Sequence, residues 1–170
     1  EIMRSIISDN LLPILHESSF KAASAMGSPG GGDQLVPAFR EQVRIVNEGV
    51  AAVVRRGAKE GLHMVLNGVH IVPGYLERAL QETPAHLFEF VLSVPEREQH
   101  EMFFYEREQA SRRAAQRYVA NMEKIRRVQD FIVRMAEKYG VKVVENVDFE
   151  DTLKTIHQEV VSGFAKEIDA

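Results

Sequence analysis

Three short apolar runs, set between longer amphipathic stretches, constrain this chain more than any other feature. Leu62-His63-Met64-Val65-Leu66 ends in Asn67-Gly68, the run from His86 to Val94 is closed by Pro95, and Lys142 to Val147 follows Gly140. Runs of this length, bounded by Gly or Pro, read as buried strands, here over 62–67, 87–93 and 142–146. From Pro37 to about Arg56 the apolar residues Phe39, Val43, Val46, Val50 and Val53/Val54 recur at three and four, a helix of about five turns. Residues 1–12 read as the end of a helix stopped by Pro13, and residues 74–80 as a short helix. Residues 96–138 read as one long helical region, or two with a break near 109–114. Residues 150–168 form a closing helix, with Asp151 or Thr152 helping to cap it and Leu153, Ile156, Val160 and Phe164 inside. Strands alternating with helices give an α/β fold with a parallel sheet, and 170 residues suit one domain. Three strands are few for such a sheet.

Composition removes several classes of function. Lys plus Arg is 21 against 25 for Asp plus Glu, a formal charge of −4, which argues against a general nucleic-acid binder while leaving room for a local phosphate site. With no cysteine there is no disulfide, zinc–thiolate centre, iron–sulfur cluster or Cys nucleophile. The absence suits the cytoplasm. No apolar run approaches membrane-spanning length, and no charged-then-apolar leader opens the chain. Because Glu1 stands first and Ile2 to Ile7 already reads like mid-helix, further sequence upstream is expected.

Polar residues collect where chemistry is expected. Open parallel sheets bind ligands beyond the carboxyl ends of their strands, which puts Asn67, His70, Ser93, Glu145 and Asn146 near a site. Asn67 as a strand cap and His70 as a turn histidine fit the same spacing. Seven of the fourteen arginines (Arg107, Arg112, Arg113, Arg117, Arg126, Arg127 and Arg134) fall within 28 residues. A guanidinium matches phosphate oxygens with its planar fork and keeps its charge. Arg113 and Arg117 share a helix face, as do His100, Phe104 and Arg107. A solvated helix with Glu108–Arg112 and Glu123–Arg127 pairs would show the same pattern. His16-Glu17-Ser18-Ser19 is a third polar cluster. The six histidines lack metal-ligand spacing, so a protein-bound metal site is not expected. Gly27-Ser28-Pro29-Gly30-Gly31-Gly32-Asp33 lacks Gly-Lys-Ser or Gly-Lys-Thr and follows no apolar strand, so it is a surface loop and not a phosphate-binding loop.

Four segments together resemble the 2-phosphoglycerate kinases, a family of P-loop enzymes. Glu1-Ile2-Met3-Arg4-Ser5 is similar to the tail of the family's Asp-x-Ile-Arg-Glu-hydrophobic-Met-Arg helix. Leu12 to Phe20, with His16, Ser18 and Ser19, is similar to its Pro-x-Leu-x-x-Ser-Ser-Tyr element. Val65 to Gly74 is similar to its Glu-Gly-Val-His-hydrophobic-Val-Pro-Gly signature. His100 to Arg107, then Arg113, Arg117-Tyr118 and Ile125 to Gln129, match its lid and following helix. The likeness runs from residue 1 to about 160, and Gly-Val-His-x-Val-Pro-Gly is its most specific part.

The resemblance implies a single P-loop kinase-like domain over residues 1–170, with a parallel sheet, helices on both faces and a helical lid with its following helix at about 96–138. It implies transfer of the ATP γ-phosphoryl group to the 3-hydroxyl of 2-phosphoglycerate, with Mg2+, on a small phosphorylated substrate. By the same resemblance Arg107, Arg113 and Arg117, with Arg112 toward the nucleotide, close over the phosphates. Arg4, His16, Ser18, Ser19 and His70 hold the acceptor's phosphate and carboxylate, and position 67 acts beside the nucleotide phosphates. Two departures stand out. Asn67 takes the place of an expected Glu, and an amide cannot act as a base, a role worth about 10²–10⁴-fold. The Gly-x-x-x-x-Gly-Lys-Ser/Thr loop is missing, so the chain reads as such a kinase without its first two strands and phosphate loop. In the family's strand order, 2-3-1-4-5, that loss opens a gap between 62–67 and 87–93. Buried unpaired backbone groups there would each cost about 1–3 kcal/mol, unless the strands close up or another segment fills in.

Overall fold

The computed structural model describes residues 7–26, 33–76, 85–110 and 114–168. The element order is α1 (Pro13–His16), a 3₁₀ helix (Ser19–Met26), α2 (Leu35–Lys59), β1 (Phe90–Ser93), α3 (Arg97–Ala110), α4 (Ala115–Val119), α5 (Met122–Tyr139), β2 (Lys142–Glu145) and α6 (Phe149–Ile168). The described residues are mostly helical with one small parallel sheet, which matches the mixed α/β expectation in outline. They divide into two compact units, Glu1–Leu87 with Glu123–Met135, and Phe88–Met122 with Ala136–Ala170.

In the first unit α2 is the organising element. Its 25 residues extend the predicted helix at both ends. Pro37 sits in its first turn, where a missing N–H is harmless. Of the expected apolar stripe Phe39, Val43 and Val54 are buried, Val46 and Val50 are half-buried and Val53 is exposed; Phe39 and Val43, with Leu35, pack with Val72, Val128 and Phe131. A second cluster joins Ala38 on α2 to Ile14, Leu15 and Ala22. Phe39 is fully buried, with its ring edge-on to Phe131 at 6.0 Å between centroids. The expected strand at 62–67 is absent. Leu62, Met64, Val65 and Leu66 are 54, 38, 97 and 43% exposed, and the segment has no regular secondary structure. A strand exists through its ladder, and among the described residues none pairs with this run. Its local anchors are a Leu62 N–H to Gly57 O bond of 2.9 Å and the Met64 side chain lying over Gly57.

The second unit holds the sheet. β1 and β2 are parallel, in register from Phe90 opposite Lys142 to Ser93 opposite Glu145. Both fall inside their expected spans. Parallel neighbours need a long crossover, supplied by the chain from α3 to α5. That region is three helices rather than one or two. Gly140 at φ 66° ends α5 in the left-handed conformation, with its own N–H bonded back to the last turn.

The closing helix differs from expectation in its cap and in its buried face. Asp148, not Asp151 or Thr152, is the cap: its Oδ1 accepts the Asp151 N–H at 3.0 Å. Thr152 is 6% exposed and its hydroxyl donates to Asp148 O at 2.7 Å. Leu153 and Phe164 are 52 and 44% exposed. The inward line instead passes through Thr152, Ile156, Val160 and Gly163. Gly163 is the physical reason: the Phe88 ring lies so close that a Cβ there would come 2.3 Å from it. A missing side chain lets a ring settle on the helix backbone and turns that line inward. No helix of the described residues is long and apolar enough to cross a membrane.

Candidate functional site

The first unit joins the backbone at Ile14 and Glu17, on either side of His16, to His70 through one side chain absent from the sequence-based site. Gln42, 1% exposed on α2, donates from Nε2 to Ile14 O at 2.6 Å and to Glu17 O at 3.0 Å. Its Oε1 lies 3.1 Å from His70 Nε2. Asn47, also on α2 and 4% exposed, donates from Nδ2 to Val43 O and to the backbone oxygen of His70, both at 2.7 Å. The Phe39 ring lies 5.4 Å from the His70 ring. His70 is thus held at its ring by Gln42 and Phe39 and at its backbone by Asn47. His16 donates from Nε2 to Ile7 O at 2.8 Å, since a carbonyl only accepts. Ser18 and Ser19 are half-buried at the start of the 3₁₀ helix, where Ser18 O accepts the Lys21 N–H at 2.7 Å.

Gln42 and Asn47 were missed because polar residues along an amphipathic helix are usually read as its wet face. Their spacing from Phe39 and Val43 was the available signal: each lies on the stripe that the apolar residues define. Buried amides of this kind are retained where they satisfy backbone groups.

Asn67 is exposed, and no strand tip forms to present it. That differs from the strand-end placement expected for it, for the same reason that the 62–67 ladder is absent. Gly68 O accepts the Ile71 N–H at 3.0 Å, so the turn leading to His70 is formed even though the strand before it is not.

The second unit carries Arg107 and Arg117, the described members of the expected lid arginines. Arg107, half-buried on α3, lies over two rings, with its guanidinium carbon 4.8 Å from the Phe104 centroid and 4.5 Å from that of Tyr118 on α4. Phe104 and Tyr118 stack at 4.8 Å and 11°, and His100 stacks on Phe104 at 5.3 Å and 16°. The face shared by His100, Phe104 and Arg107 is therefore real and extends to Tyr118. A guanidinium over aromatic faces is attracted by their quadrupoles. Arg117 is exposed on α4. Arg4, Arg112 and Arg113 lie outside the described residues, as does Gly27 to Gly32. Arg127 pairs with Asp33 rather than with Glu123, the partner that the solvated-helix alternative gives it.

Elsewhere in the first unit, a shallow depression of about 360 Å³ is lined by Pro37, Arg40, Glu41, Arg44 and Tyr75 and contains none of the expected site residues. There the Arg44 guanidinium bonds the Glu41 carboxylate at 2.7 and 3.0 Å and holds its pKa below the ordinary value. The Tyr75 hydroxyl accepts from Arg40 Nε at 3.3 Å and raises the Arg40 pKa. Among the described residues no three His, Asp or Glu side chains converge on a point that could hold a metal ion.

The proteins that this chain is similar to are kinases. The particular relatives are 2-phosphoglycerate kinases. That of Thermococcus kodakarensis is 40% identical over 156 residues, covering 92% of this chain and 52% of that protein. That of Pyrococcus furiosus is 35% identical over 161 residues, 95% of this chain and 52% of its own length. That of Methanothermobacter thermautotrophicus is 38% identical over 170 residues, 98% of this chain and 55% of its own. The chain spans about half the length of the curated relatives it matches. No family model matches it, and no solved structure does.

Proposed function

We propose that this chain is the acceptor-gripping and phosphate-closing part of a cytoplasmic P-loop kinase that transfers the γ-phosphoryl group of ATP to the 3-hydroxyl of 2-phosphoglycerate, giving ADP and 2,3-bisphosphoglycerate. The observation that carries the reading is the similarity to 2-phosphoglycerate kinases over more than nine-tenths of the chain. In this reading both compact units belong to one domain. His70, with His16, Ser18, Ser19 and Arg4, binds the acceptor's phosphate and carboxylate. Arg107, Arg113 and Arg117, with Arg112, stabilise charge on the transferred group, where catalysis is mainly positioning and electrostatics. The reading takes ATP with Mg2+ as the source of the phosphoryl group.

The test is direct. The full chain should bind 2-phosphoglycerate in a calorimeter and form no bisphosphoglycerate from ATP. Turnover by these 170 residues would overturn the division of labour, and failure to bind 2-phosphoglycerate would overturn the acceptor assignment. A second reading, a non-catalytic module that binds a phosphorylated metabolite, is favoured by one observation: the amide of Asn67 where the related pattern has a carboxylate. A third, a kinase for another small hydroxylated acceptor, would appear as tighter binding of that compound in a substrate panel.

A further inference from the structure

The hydrogen bonds around Gln42 fix more than a contact. Ile14 O and Glu17 O are carbonyl oxygens and only accept, and both face the same end of the Gln42 amide, at 2.6 and 3.0 Å. That end is therefore the NH2 group, and both of its hydrogens are used. The other end, Oε1, only accepts. The ring nitrogen 3.1 Å from it, His70 Nε2, must then carry a hydrogen. Two backbone carbonyls thereby set the tautomer of a histidine through one buried amide.

We infer that Gln42 is a positioning residue for His70: it holds the imidazole in one orientation with its proton on Nε2, and it acts on acceptor binding through that histidine. The inference rests on the proposal that His70 grips the acceptor. Asn47 completes the clamp by holding the His70 backbone oxygen at 2.7 Å, and the Phe39 ring bounds the imidazole on one side. All three clamp residues stand on α2, so one rigid helix sets position, orientation and protonation of one side chain. Second-partner hydrogen bonds of this kind select the reactive nitrogen of a histidine.

The experiment is a binding cycle on the full chain with 2-phosphoglycerate as probe. Wild type, Gln42→Met, His70→Asn and the double variant are titrated by calorimetry. If Gln42 acts through His70, Gln42→Met weakens binding by about three- to tenfold, and it has no further effect once His70 is Asn. Wild-type affinity in Gln42→Met, or equal added losses in the double variant, would overturn the inference. A second readout needs no variant of Gln42: in 15N-labelled wild type, with the His70 signal assigned by its loss in His70→Asn, the Nε2 hydrogen should exchange slowly with water. A ring protonated on Nδ1 alone, or an Nε2 hydrogen exchanging as in free histidine, would also overturn it. If wild type does not bind 2-phosphoglycerate, the acceptor reading fails while the exchange measurement still decides the role of Gln42.

Discussion

The two units hold their candidate residues by different physical means. In the first, His70 is fixed by directional hydrogen bonds from buried amides, Gln42 at 1% and Asn47 at 4% exposure. In the second, Arg107 rests on the faces of Phe104 and Tyr118, which attract it without prescribing one hydrogen-bond geometry. The amide clamp fixes one orientation and one tautomer. The ring stack supports a cation through the faces of two rings. The difference suits the proposed roles: an acceptor must be held in a set pose, whereas a lid arginine must travel.

The largest expected effect breaks the first arrangement. Phe39→Ala removes a fully buried ring that packs on both Phe131 and His70. It should destabilise the chain by about 3–5 kcal/mol, read from denaturant unfolding, and weaken 2-phosphoglycerate binding where the variant remains folded. A change below about 1 kcal/mol would show that the core is not organised around α2 as described.

Two helix glycines sharpen the contrast at the next level. An added Cβ at Gly163 meets the Phe88 ring at 2.3 Å, whereas at Gly57 it meets the Met64 sulfur and terminal methyl at 2.4 and 2.3 Å. A ring packed on a helix yields little, but the flexible end of a half-exposed methionine swings away. Gly163→Ala should therefore lose about 1–2 kcal/mol despite better helix propensity. Gly57→Ala should be neutral or stabilise by up to about 1 kcal/mol. Equal effects in thermal unfolding would contradict the packing assigned to both.

A smaller effect tests the ring stack. Phe104→Leu keeps an apolar side chain and removes one face beneath Arg107, at a cost of about 0.5–1.5 kcal/mol in stability. Inorganic pyrophosphate binding should weaken more in this variant than in Gln42→Met, because only the former disturbs Arg107. The reverse ranking would break the proposed division between the two clusters. Smallest of all is Glu41→Gln. Arg44 depresses the Glu41 pKa, so this pair stabilises the fold above the ordinary carboxylate range and loses that contribution as pH falls through the lowered folded value. Both side chains are largely exposed, 60 and 40%, and solvent screens them. The thermal midpoint at neutral pH should not move measurably.

Local periodicity made α2, β1, β2 and α6 legible, because each is specified by residues near in sequence. The run at 62–67 carries an equally strong apolar signal and forms no strand: pairing is a property of two segments, and periodicity describes one. The face of α6 was displaced because Gly163, silent in any hydrophobic pattern, admits the Phe88 ring. The resemblance to 2-phosphoglycerate kinases was legible in the sequence and the relatives bear it out, and His70 and Arg107 were named as candidates from residue chemistry and that resemblance. Gln42 and Asn47 were not, since an amide that satisfies backbone carbonyls inside a core looks in sequence like any solvated polar residue.

Titration of 2-phosphoglycerate into the full chain and into His70→Asn tests the central claim most directly. The account predicts saturable one-site binding to wild type and a loss of at least about tenfold in the variant. Absence of binding to wild type, or binding unchanged when His70 is replaced, would contradict it.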